Sequence, residues 1–158
     1  MNNNYVDIDF KLENYNYLVN SYIETIINLV DCSNSLNILP FKIKLSLGFI
    51  KNYIFANKME VLENGIKYLL VNKDIIINFD LNKLDELDED TDDNISIKSC
   101  INNVKKIKNI DSNQEDDLLN LIIEIKNNSK KLSENKINII KQYFELLICI
   151  LENIQNIF

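Results

Sequence analysis

Asp85, Glu86, Asp88, Glu89, Asp90, Asp92 and Asp93 place seven carboxylates in nine consecutive residues. Oxygen donors at that density are what a hard cation such as calcium requires. The spacing, however, does not make a calcium loop. Threaded from Asp88, the loop has Asp90 and Asp92 at its third and fifth positions. Asp93 then stands at the sixth, where the turn needs glycine, and Ser99 at the twelfth, where a bidentate glutamate belongs. A frame begun at Asp111 fails in the same way, with Asp116 and Ile122 at those two positions. The run is therefore expected to be a solvated, self-repelling acidic loop or a docking site for a basic partner, with no metal bound.

Lysine is the second group able to do chemistry. Lys98, Lys105, Lys106 and Lys108 crowd a stretch with no acidic residue between Asn94 and Ile110. Phosphate binding is the chemistry such a face offers. All seventeen basic residues are lysine, so no guanidinium fork can grip a phosphate or a guanine edge. No aromatic interleaves with the four lysines, and the formal net charge is −7. Nucleic acid is therefore not an expected partner, because its binding rests on a surplus of cations.

The remaining nucleophiles and bases are thinly placed. Histidine and tryptophan are absent, which removes the serine–histidine and cysteine–histidine pairs, the histidine general base and imidazole zinc sites. Cys32, Cys100 and Cys149 are far apart and form no C-x-x-C pair; they suit a reducing compartment as small buried hydrophobes. The seven tyrosines (Tyr5, Tyr15, Tyr17, Tyr22, Tyr53, Tyr68 and Tyr143) read as amphipathic boundary residues, and the neighbours Lys73 and Asp74 do not make a catalytic pair. With Gly48 and Gly65 as the two glycines, no phosphate loop or dinucleotide fingerprint can be written. No cofactor follows from the sequence. A non-enzymatic protein is expected, the alternative being an enzyme built on Asp, Glu and Lys chemistry.

The elements that would position these groups are read from apolar spacing. Val6, Ile8 and Phe10 alternate with Asp7 and Asp9, as in a strand or an extended lead-in. From Tyr15 the period changes. Tyr15, Leu18, Val19, Tyr22, Ile26, Leu29 and Val30 form one helical stripe that ends near 31–37. The tract from Leu39 to Phe79 has two readings. Phe41, Ile43, Leu45, Leu47 and Phe49 alternate with Lys42, Lys44, Ser46 and Gly48 like a strand, yet Leu39, Ile43, Leu47, Ile50 and Ile54 fall at helical spacing, with Pro40 suited to a first turn. Asn64-Gly65 is a hairpin signal, whereas Met59, Leu62, Ile66 and Leu69 make a helical face. Helix is the preferred reading of both.

Beyond the acidic run, Ile97, Ile101, Val104 and Ile107 mark a helix. Ser112-Asn113-Gln114-Glu115 fits a capping box ahead of Leu118, Leu121, Ile122 and Ile125. Ser133 caps the last helix, where Ile137, Ile140, Phe144, Leu147, Leu151, Ile154 and Phe158 repeat every three or four residues. Ile139, Tyr143, Ile148 and Ile150 widen that seam, which puts this helix at the centre of a bundle.

The 158 residues and 18.5 kDa suit one domain. The expected fold is all-α, a single helical bundle of about six helices across 1–158, with the acidic loop near 85–93 as the seam between two halves. The alternative is α+β, with a short sheet or hairpin between residues 39 and 79. There is no signal peptide and no stretch of bilayer length, so no membrane span is expected.

Twenty-seven Asn and twenty-seven Ile against one Ala point to an A/T-biased genome, such as that of a large DNA virus. The chemistry that is absent, set beside so much apolar helix, favours a cytoplasmic interaction or structural protein of such a virus, incorporation into its particle included. Its partner is a protein or a second copy, met by Ile140, Phe144, Leu147 and Leu151 of the C-terminal seam and by the acidic loop. The alternative within this class is a small helical regulator that holds a partner's amphipathic helix in a groove.

Overall fold

The computed structural model describes residues 3–78, Lys105 and 109–157. Among these the secondary structure is helical throughout and contains no strand, so the all-α expectation holds and the α+β alternative does not. The acidic run 85–93 lies outside the described residues, as do Cys100 and most of the lysine-rich helix. No helix among the described residues is long and apolar enough to cross a membrane.

The first helix, α1 (Asn3–Ser35), is 33 residues long, or about 50 Å. It takes in Val6, Ile8 and Phe10, whose alternation suggested an extended segment. Adding a turn to an existing helix needs no new nucleus, and that outweighs three alternating residues. Its C-terminus is closed by Asn37 at φ 58. The Asn37 amide donates to the Asn34 carbonyl at 3.1 Å and the Ile38 amide to the Ser33 carbonyl at 3.0 Å. This pair of bonds satisfies carbonyls that the last turn leaves open, and it needs a residue tolerant of the left-handed region. Ile38 and Pro40 are buried beyond it.

Short helices follow: α2 (Phe41–Leu45), α3 (Leu47–Ala56), α4 (Lys58–Gly65) and α5 (Lys73–Ile77), with a π turn at Ile66–Leu70 between the last two. Pro40 is the residue before α2, at φ −58 and ψ 152, so the helix starts one position later than a first-turn proline would place it. Gly65 is not in a turn. It sits in right-handed helix at φ −60 and ψ −46, and a Cβ there would overlap the Tyr22 hydroxyl and lie 2.9 Å from the ring carbon Cζ. The glycine is required by close helix packing and not by a hairpin.

Two longer helices complete the description. In α6 (Ser112–Ser129) the capping box is made by Asp111, one residue earlier than the sequence suggested: Asp111 Oδ1 accepts from the Gln114 amide at 2.8 Å, and Gln114 Oε1 accepts from the Asp111 amide at 3.0 Å. In α7 (Glu134–Gln155) Ser133 is the cap, as expected, with its hydroxyl accepting from the Lys136 amide. The core lies where α1 meets α7. Val19, Tyr22 and Ile23 of α1 pack with Leu147, Ile150, Leu151 and Ile154 of α7, and α3 and α4 add Ile54 and Leu62. α7 also touches α5 and the π turn, the central place its wide seam implied.

Candidate interaction surface

The surface is built by α2 and α3, whose two faces are both apolar. Ile43, Leu47, Ile50 and Ile54 turn inward, half-buried or buried. On the outer side Phe41, Leu45 and Phe49, spaced by four, are 67%, 72% and 76% exposed. Spacing of four keeps side chains on one helix face. Tyr53 continues the row, less exposed, and donates its hydroxyl to Glu60 Oε2 at 2.9 Å. Ser46 joins the two helices at φ −100 and ψ 10, and the Ile50 amide still bonds to its carbonyl at 2.9 Å, so the row passes the junction. Single exposed apolar residues are ordinary on protein surfaces; a contiguous apolar patch is the kind of feature that makes a surface a candidate for binding.

The charge around this row differs from the rest of the molecule. Between Asp31 and Glu60 there are four lysines and none of the 24 acidic residues. Lys51 pairs with Asp31. Lys44 and Lys58 instead donate to neutral amide oxygens, Asn37 Oδ1 at 3.0 Å and Asn20 Oδ1 at 3.1 Å, which leaves their charge uncompensated at those contacts. Lys42 is exposed and has no ion-pair partner among the described residues. At the start of the row the Phe41 amide donates to Glu124 Oε1 of α6 at 3.3 Å, and Asn128 of α6 donates to the Ile38 carbonyl at 3.1 Å. These bonds tie α6 to the edge of the surface.

Gly48 stands inside α3 between Leu45 and Phe49 of the outer row, and nothing lies within 4 Å of where its Cβ would be. Of the two glycines, Gly65 is explained by Tyr22, while Gly48 meets no packing need among the described residues.

The residues singled out in the sequence are distributed as follows. Leu147 and Leu151 are buried in the core against α1. Phe144 is half-buried at the edge of that core, and Ile140, one turn earlier, is half-buried. Within this chain the deep half of the seam is thus already covered. Asp85, Glu86, Asp88, Glu89, Asp90, Asp92 and Asp93 fall outside the described residues. Lys105 pairs with Glu115 of α6 at 2.9 Å. Lys73 pairs across to Glu152 at 3.6 Å and not with Asp74. Cys32 is half-buried, but Cys149 is exposed, contrary to the expectation of a buried thiol; it lies off the face of α7 that packs on α1.

Two further features were open to chemistry. A cleft of about 470 Å³ between the early turns of α1 and the end of α7 is lined by Asp7, Phe10, Lys11, Asn14, Leu18 and Asn153, among others. Asp7 and Lys11 face each other there at 3.6 Å. Tyr22 lies in the core, where burial pushes its hydroxyl up to about 12. A phenol so shifted stays protonated at neutral pH. Among the described residues no three of His, Cys, Asp and Glu gather in a metal-holding group.

In the sequence the outer row is visible only as part of a strand-like alternation, which does not mark it as a site. No protein-family model, curated protein or solved structure matches the chain.

Proposed function

We propose that this chain is a non-catalytic interaction protein, that the α2–α3 surface is its binding face, and that it works in a reducing compartment such as the cytoplasm. The observation that carries the reading is the outer row itself: Phe41, Leu45 and Phe49 are each more than two-thirds exposed while the opposite face of the same helices is turned to the core. Three large apolar side chains left in water forgo about 1.5–3 kcal/mol each of burial free energy, which a bound partner would recover. Exposure of that kind in one row matches the apolar centre of a protein interface, where a few anchors carry most of the affinity. The A/T-biased composition fits a large DNA virus as the source, in which case the partner is a host protein or another component of the particle.

A photoreactive phenylalanine analogue placed at position 49, and for comparison at the exposed Glu13 of α1, tests the reading in cells that produce the protein. The position 49 probe is expected to give a discrete cross-linked species that the position 13 probe does not. Identical patterns from the two positions, or no adduct from either, would overturn the reading.

A further inference from the structure

We infer that the occupant of the α2–α3 surface is an acidic amphipathic helix of a partner protein, seated with its backbone close to Gly48; this rests on the reading of that surface as the binding face. Three observations converge on it. The row Phe41, Leu45 and Phe49 offers apolar anchors at the spacing of one helix face, which a partner helix meets with residues spaced by three and four. The tract between Asp31 and Glu60 contains no carboxylate, and among the described residues Lys42, Lys44 and Lys58 form no ion pair, the carboxylates at the two ends of the row, Glu124 and Glu60, being bonded to the Phe41 amide and the Tyr53 hydroxyl. Negative charge on the partner would therefore meet uncompensated positive charge in a molecule whose net charge is −7. Finally, Gly48 leaves open space beside Leu45 and Phe49, with nothing among the described residues within 4 Å of where its Cβ would be. Gly48 is the second residue of α3, and a glycine loses more conformational freedom on folding than an alanine would. Its gain is the one a glycine gives at a helix crossing: a second backbone can come closer than any side chain would permit.

The other occupants fit less well. A second copy docked face to face would set this lysine-bearing tract against itself. An anionic bilayer would attract the lysines but repel the remainder of an acidic molecule, and Lys51 is already spoken for by Asp31.

The test uses the full chain and three stapled 18-residue model helices that share one leucine face and carry glutamate, glutamine or lysine elsewhere. Binding is read by titration calorimetry, alongside sedimentation with phosphatidylserine vesicles and light scattering of the protein alone. The glutamate helix is expected to bind about tenfold or more tightly than the lysine helix, and its affinity should fall as salt is raised. Gly48→Gln should weaken that binding by about tenfold without lowering the melting temperature, and Phe49→Ala should weaken it comparably. Since both positions are open to solvent, neither variant puts the fold at risk.

The inference is overturned by equal or reversed preference between the charged helices, by unchanged binding in Gly48→Gln, by association with vesicles in place of peptide, or by a dimer that Leu45→Glu dissociates. Binding of the glutamine or lysine helix at the row as tight as that of the glutamate helix would sink the acidic occupant and leave the interaction reading standing. No binding by any helix, together with no adduct at position 49, would remove both.

Discussion

Tyr22 of α1 lies so close to Gly65 that a methyl group there would overlap its hydroxyl oxygen and come within 2.9 Å of Cζ and 3.5 Å of Leu151 Cδ1. Backbone and a fully buried ring have little room to yield, so Gly65→Ala is expected to lose about 1–3 kcal/mol of stability, despite alanine's better helix propensity. Urea unfolding would show it as a lower midpoint at unchanged slope. In a Tyr22→Phe background the oxygen is gone, and the loss should shrink by more than the ~0.5 kcal/mol expected of independent sites. Strictly additive losses would mean that the two residues are not in this contact. The same tyrosine gives a pH dependence of definite sign. Burial raises its hydroxyl from 10.0 to about 12, so above pH 10 the unfolded chain releases a proton that the folded chain retains. Its contribution is intact below about pH 10 and is lost as the pH rises through about 12, a change of roughly 3 kcal/mol. Unfolding at a series of alkaline pH values should show a steeper decline for the parent than for Tyr22→Phe; parallel curves would place the titration elsewhere.

At the scale of the element, caps can be read one residue wrong and still predict the helix. Asp111 and Ser112 are both competent N-cap residues, and Ser112 with Glu115 satisfies the sequence rule as well as Asp111 with Gln114 does. The structure selects Asp111. Asp111→Ala should therefore cost about 1 kcal/mol and Ser112→Ala almost nothing in thermal unfolding; the reverse order would restore the Ser112 box. The long stripes of α1 and α7 were legible because each has one apolar face, so the period is unambiguous. The tract of α2 and α3 was not, for a reason that bears on function. Two rows spaced by four residues, Ile43 and Leu47 inside and Phe41, Leu45 and Phe49 outside, interleave to give apolar residues at every second position. That alternation is the sequence signature of a strand. A helix mimics it only if both faces are apolar, which ordinary burial does not require. The ambiguity was thus the trace of the exposed row, though no sequence rule separates it from a strand without the burial pattern. Asn64-Gly65 misled for a comparable reason: glycine serves a left-handed turn and a tight helix crossing alike, and only the position of Tyr22 tells them apart.

At the scale of the whole molecule, the core contact and the proposed binding face lie on different surfaces. The α1–α7 contact holds the core, with Leu151 fully buried between Tyr22 and Ile154 of the same cluster. Leu151→Ala should cost about 2–5 kcal/mol, a large share of the total for a domain of this size, because the cavity would be enclosed on all sides. Phe49, on the far side of α3, contributes little to that core, and Phe49→Glu should change stability by no more than about 0.5 kcal/mol while abolishing the adduct of a photoreactive probe placed at position 45 of the same row. The two effects are separable because the inner row Ile43, Leu47, Ile50 and Ile54 anchors α2 and α3 without help from the outer one. Chemical unfolding of both variants, run beside the position 45 adduct, tests the division. If Phe49→Glu unfolds as readily as Leu151→Ala, the outer row is packed against something within the chain and its exposure is not that of a binding face. If stability stays and the adduct goes, the fold has been built to hold an apolar row in water, and recognition is the property that explains it.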